Sequence, residues 1–349
     1  MIPLFKVYMS PDVIEPLRDI LLSGYIGQGQ EVEKFEGAAA SWTGRRPLAI
    51  NSGTSALLLA LRLANVGPGD RVVTTPMTCF ATTAPILDRG AVPVWADIDP
   101  RTGNVDPEDV ERKIPGAKAL LAVDWGGYPC DHDDLLSICG KYGVPVIEDA
   151  AHAFGAVYRG EKIGSVADFT AFSLQAIKHV TSVDGGLLTC ALDRDRNRGK
   201  LLRWYGIDRE TPRSDLRCEV DILEAGLKLH MNDVNAIIGR MNMRHAQEIL
   251  DAHKSNAEFY FCSLSGLRGI QTLQYSLDRQ SSYWLYTIRV KNRDMFRRYM
   301  GENGVAVSQV HVRNDIHTAT RKFQTPLPGV DEFSAENVAI PVGWWVTKE

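Results

Sequence analysis

No stretch of this 349-residue sequence reaches 18 consecutive apolar residues, so no membrane-spanning helix is expected. The opening MIPLFKVYMSPDV has no long apolar core of the kind an export signal needs. Positive charge is not in excess: 39 Lys and Arg stand against 43 Asp and Glu, for a net charge of −4. That balance argues against a nucleic-acid or anionic-membrane partner. Cysteines are few and scattered, at 79, 130, 139, 190, 218 and 262, with no Cys-x-x-Cys pair. Neither a disulfide framework nor a zinc or other metal site is expected from them. Internal repeats and low-complexity linkers are missing too. These absences leave a chain expected to be soluble and cytoplasmic, long enough for roughly two domains, with a small molecule as its partner.

What is present begins with alternation. Seven apolar runs, Pro47–Ile50, Arg71–Thr75, Ala91–Ala96, Ala119–Val123, Val144–Glu148, Phe169–Leu174 and Leu187–Cys190, are separated by segments long enough for crossover helices. Most are continuously apolar, as strands buried on both faces must be, which predicts an α/β domain with a mainly parallel sheet. Ligands on such sheets bind beyond the carboxyl ends of the strands. Upstream, Ser10 reads as the cap of a helix to Leu22, with Val13, Ile14, Leu17, Ile20 and Leu21 inward. Gly-Gln-Gly-Gln-Glu-Val at 27–32 is half of a GxGxxG and follows a helix, so it is no dinucleotide fingerprint. After Gly226 the periodicity predicts one helix from Asp233 to Leu264, a strand at Tyr283–Val290, a helix at Asp294–Asn303 and a strand at Val305–Val312. The expected division is a large domain over 1–235 and a smaller α+β domain over 236–349.

The chemistry sits at the predicted strand ends. Lys178 follows one apolar run and precedes another, with few charged neighbours. A desolvated lysine there is a candidate nucleophile, and a lysine reaching out of a loop is the plain alternative. Asn51-Ser-Gly-Thr-Ser runs straight into a helix, where Gly53 permits close approach and the free amides favour an anion; it also serves as an ordinary cap. Phe80, just past a strand, is either a core ring or a stacking platform. Asp149 ends a strand and either caps a helix or pairs with a buried cation. A nucleophilic lysine, a carboxylate, an anion cradle and an aromatic platform are together what pyridoxal phosphate requires.

The blocks SGYIGQGQEVEKFE, NSGTSALLLAL, GAVPVWADIDPRTGNVD, VPVIEDAAHAFGA and GSVADFTAFSLQAIKHVTSVDGGLL resemble, in order and spacing, the DegT/DnrJ/EryC1/StrS family of sugar aminotransferases. The resemblance implies the three-layer type I fold of pyridoxal-phosphate (PLP) enzymes, a seven-stranded mostly parallel sheet and a small C-terminal domain. It further implies that Lys178 bonds the cofactor, Asp149 pairs with its ring nitrogen and Phe80 stacks on its ring. His152 faces the ring's other side, while Thr54, Ser55 and Ser173 hold the phosphate. The implied reaction takes an amino group from L-glutamate to a keto group of a nucleotide-linked deoxysugar, with pyridoxamine phosphate formed during turnover. Its setting is amino-sugar biosynthesis for a surface polysaccharide such as lipopolysaccharide O-antigen, or for a natural product. The alternatives are a dehydratase, in which histidine replaces the lysine, and a non-catalytic cofactor-binding regulator. The family also implies a homodimer with shared sites. Where relatives commonly have an asparagine reaching across the dimer, this chain has Lys228, either a phosphate donor or an interface lysine. His311 and Arg313 are candidate substrate contacts.

Overall fold

Strands form where the sequence runs apolar without interruption. The computed structural model describes residues 1–210 and 221–347. It places β1 (Leu48–Ile50), β2 (Arg71–Thr74), β3 (Val92–Trp95), β4 (Ala119–Val123), β5 (Val146–Asp149), β6 (Phe169–Ser173) and β7 (Gly186–Cys190) in one sheet. The order is β1-β7-β6-β5-β4-β2-β3. Pairs from β3 through β6 are parallel, and β7 runs antiparallel to both β6 and β1. Strands β4, β5 and β7 are buried along their whole length, because helices cover both faces.

Before the sheet lie α1 (Ile14–Leu22) and α2 (Gln30–Thr43). The crossovers carry α3 (Gly53–Leu63), α4 (Phe80–Asp88), α5 (Pro107–Lys113), α6 (His132–Tyr142) and α7 (Asp193–Leu202). Ser10 does cap, through its hydroxyl to the Asp12 amide, but it caps a 3₁₀ turn that precedes α1. The expected inner face is also only partly inner. Val13 is buried and Leu17 and Ile20 pack against Ile237, Ile238 and Met241, whereas Ile14 and Leu21 are 62 % and 53 % exposed.

The long helix expected from Asp233 is two helices, α8 (Asp233–Met243) and α9 (Ala246–Leu264). No glycine or proline marks the break. It is made by tertiary contacts at His245, whose ring meets the Ser10 hydroxyl at 3.2 Å and the Tyr8 ring at 5.6 Å. Gly239, inside α8, is a close-packing position: a Cβ there would lie 3.0 Å from the Phe35 ring of α2.

Past α9, β8 (Ile270–Thr272), β9 (Tyr286–Val290) and β10 (Asn337–Ile340) form an antiparallel sheet with α10 (Arg293–Glu302) and α11 (Pro328–Glu336) beside it. The expected strand over Val305–Val312 is not formed. That run makes only isolated bridges, at Val305 and Ser308, and Val310 has φ 65°, a region a β-branched residue rarely enters. Five cysteines, 79, 130, 139, 190 and 262, are unpaired; Cys218 lies outside the described residues. Among the described residues no helix is long and apolar enough to cross a membrane.

Candidate functional site

The carboxyl edge of the large sheet opens on a cavity of about 520 Å3, closed on its far side by residues of the C-terminal part. Asp149 ends β5 there, 4 % exposed. The Thr82 hydroxyl donates to its Oδ2 at 2.6 Å and the Ala151 amide to its Oδ1 at 3.1 Å. Thr82 is itself bonded to Thr78 at 2.8 Å. Burial pushes the Asp149 carboxyl up, against the pull of those two hydrogen bonds and of Lys178. It is a carboxylate fixed in position and short of a cation.

Lys178 stands in the loop joining β6 to β7, which Leu174 closes by bonding to Gly185 and Ser182. Its ammonium rests 3.5 Å from the centroid of the Trp284 ring, and the Trp284 indole donates to the Ile177 carbonyl at 2.9 Å. Burial pulls the amine down to about 7, with Asp149 opposing. At neutral pH a large fraction is therefore the free base, the form that attacks carbonyls. His152 is 5 % exposed, stacks on Trp284 at 3.9 Å and lies nearly parallel to His311 at 5.5 Å. Its Nδ1 and the His311 Nε2 have no hydrogen-bond partner among the described residues. Burial pushes both imidazoles down, His311 to about 4, and the nearby Lys178 adds to it.

At the other end of the cavity, α3 starts. Ser52 caps it by accepting from the Ser55 amide at 3.0 Å. The amides of Gly53 and Thr54 have no partner within the helix, as at any helix start, and sit at its positive end. Glycine is required on both sides of this cradle. A Cβ on Gly53 would lie 2.9 Å from that of Ser173, and one on Gly186 would lie 2.5 Å from the Ser52 carbonyl oxygen.

Gly53, Thr54, Asp149, His152, Ser173, Lys178 and His311 thus line one cavity. Other expected residues stand elsewhere. Ser55 lies outside the lining, where its hydroxyl accepts from the Ser52 hydroxyl at 2.9 Å. The Phe80 ring lies outside the lining and meets His317 edge-on at 5.4 Å. Arg313 is held by Asp315 through two 2.6 Å contacts and by Asp331. Lys228 is exposed and outside its own chain's cavity. Ser52, part of the Asn51-Ser-Gly-Thr-Ser motif, lines the cavity too, and the structure adds Cys79, Thr82 and Trp284. Among the described residues, Asp124, His132 and Glu148 have donor atoms within 4.8 Å of one another, as a metal site would. The 2.7 Å ion pair of His132 with Glu148 accounts for that cluster.

The donor set fits pyridoxal 5'-phosphate. A buried carboxylate short of a cation suits a pyridinium, two free helix-start amides with adjacent hydroxyls suit a phosphate dianion, and an amine near pKa 7 suits an aldehyde.

Known proteins agree with this geometry. The solved structure of AtS13 from Actinomadura melliaura is 43 % identical and superimposes with a TM-score of 0.95, covering 100 % of this chain and 95 % of that one. The sugar aminotransferase CalS13 from Micromonospora echinospora is 37 % identical with a TM-score of 0.96, covering 100 % and 96 %. GDP-perosamine synthase of Caulobacter vibrioides is 35 % identical over 75 % of this chain and 70 % of its own length. Residues 8–349 match a single family throughout. The chain belongs to the DegT/DnrJ/EryC1/StrS aminotransferase family and is a pyridoxal-phosphate-dependent aminotransferase.

Proposed function

We propose that this aminotransferase carries the amino group of L-glutamate to a keto group of a nucleotide-linked deoxysugar in the cytoplasm, making an amino sugar for a surface polysaccharide or natural product. The observation that carries the reading is the shared cavity of Lys178, its amine held near pKa 7, with buried Asp149 and the open start of α3. When bound, pyridoxal phosphate supplies the sink for electrons left at the substrate's Cα.

The chain's own groups do the rest. Lys178 holds the cofactor and, once free, takes and returns the Cα proton as general base and acid. Asp149 keeps a proton on the ring nitrogen, and Thr82 and Ala151 hold it in place for that purpose. The Gly53 and Thr54 amides, with the Thr54 and Ser173 hydroxyls, grip the phosphate, while the Ser52 hydroxyl is spent on Ser55. His152 faces the ring and His311 the substrate. Arg313, engaged by Asp315 and Asp331, is a brace for this wall. The dehydratase alternative is not supported, because a lysine, Lys178, holds the position at the cavity, and His179 after it turns away to the Ser282 carbonyl at 2.9 Å.

A second copy completes the site. Leu22 and Tyr25, at the end of α1 and just beyond it, are 78 % and 83 % exposed, an apolar face that a homodimer would cover. Lys228, outside its own cavity, is free to reach the partner's phosphate with a charge-assisted bond. The proposed division into 1–235 and 236–349 falls within α8, a few residues before its break with α9. The test is a panel of UDP-, dTDP- and GDP-linked ketosugars with glutamate, read by mass. An amino sugar from at least one is expected. No product from any, in protein whose Lys178 has taken up the cofactor, overturns the substrate.

A further inference from the structure

We propose that Cys79, not Phe80, is the side chain at this turn that lies against the cofactor's ring, so that a thiol walls this side of the ring site. The inference rests on the cavity being the cofactor site.

It follows from helix register. Cys79 is the N-cap of α4, and Thr82 stands three residues on. Residues three apart share a helix face, and Thr82 is the residue that donates to Asp149. The face of α4 that looks at the ring nitrogen's partner therefore carries Cys79, while Phe80 is rotated about 100° from Cys79 around the axis. The packing agrees. The Cys79 side chain is exposed and lines the cavity together with Thr78, Ala81, Thr82 and Lys178, whereas the Phe80 ring is against His317. The turn is rigid: Asn314 donates to the Cys79 carbonyl at 3.2 Å and to the Thr83 hydroxyl at 2.9 Å. An independent mark of a ligand in the same space is His152, 5 % exposed, with Nδ1 unpartnered. A polarisable sulfur packs favourably on an aromatic ring, and it leaves more room on that side than a phenyl group would.

The experiment is alkylation by iodoacetamide, the thiolate displacing iodide, followed by peptide mass. It is run on the protein with PLP bound and after PLP has been removed. Borohydride reduction of the bound form, with mass mapping, reports separately whether the cofactor is on Lys178. Expected is that Cys79 labels about tenfold or more slowly with cofactor bound, while Cys262, the other exposed thiol among the described residues, labels at one rate in both. In addition, Cys79→Ser weakens cofactor retention about two- to tenfold. With cofactor mapped to Lys178, equal labelling of Cys79 in the two forms overturns the proposal. So does a Phe80→Leu variant that loses cofactor more readily than Cys79→Ser. Failure to map cofactor to Lys178 overturns the site reading itself.

Discussion

Glu148 and Asp149 are neighbours on β5, point to opposite faces of the sheet, and live in opposite surroundings. Glu148 is in a closed cluster. Its Oε1 is 2.7 Å from His132 Nε2, its Oε2 accepts from the Thr170 hydroxyl at 2.7 Å, and Asp124 lies 3.8 Å from the same imidazole. All four residues are 0 % exposed. Burial alone would push His132 down, but Glu148 and then Asp124 more than reverse it and hold it at about 9. The cluster therefore neutralises its own charge. Asp149 has hydrogen bonds but no ion-pair partner in contact, and around it stand an amine pulled down to about 7 and an imidazole with an unpartnered nitrogen. Both sides keep orphaned polar atoms, Asp124 Oδ2 and His132 Nδ1 on one and His152 Nδ1 on the other, but only on the Asp149 side do these groups line a cavity, and that opening distinguishes a binding site from a polar core.

The comparison breaks most visibly at Lys178. Lys178→Ala should remove glutamate half-transamination by on the order of 10⁴-fold or more, together with the visible absorption of bound cofactor, while thermal stability holds. Retained turnover would end the assignment. On the closed side the expected effects are reversed. His132→Leu leaves two acids buried without their base and should destabilise by about 3–5 kcal/mol, read by denaturant midpoint, with kcat of the folded fraction little changed. The sign of its pH dependence is fixed by a folded-state pKa above the usual 6.5. The stabilisation from His132 is fully present below about 6.5 and is lost as pH rises through about 9, a slope the variant should lack.

Asp149→Asn should cost about 10²–10³-fold in kcat with little loss of stability, since no ion pair is broken. Uptake of cofactor by the cofactor-free protein should rise with pH and level off above about 7; a curve still climbing at pH 10 would mean that Lys178 is an ordinary surface lysine. The smallest effect expected is that of Thr82→Val, which removes one buried hydrogen bond to Asp149, about 1–3 kcal/mol, divided between cofactor affinity and kcat.

The seven strands were legible because burial on both faces leaves a continuous apolar signature, and Lys178, Asp149 and the start of α3 were legible because strand ends announce themselves. Elsewhere the signal was missing or misleading. The break at Arg244–His245 is imposed by Ser10 and Tyr8, more than 200 residues away, and no local composition encodes it. Phe80 drew attention as the aromatic residue of its turn, yet helix register turns Cys79 to the cavity instead. Trp284 and Thr82 act through contacts with residues far away in sequence. Their signal is three-dimensional, which also holds for the failure of the Val305–Val312 run to become a strand.

Trp284 has a consequence for the order in which this protein becomes an enzyme. The lysine lies at the middle of the chain, but the indole it rests on and the His311 ring across from it are made more than a hundred residues later. Domains tend to fold as they are synthesised, N-terminal part first, so the large sheet forms around a lysine still open to water, protonated and inert. The shift that makes the amine reactive comes from burial, and part of the wall that buries it, Trp284 and His311, is supplied by the last stretch of chain to be made.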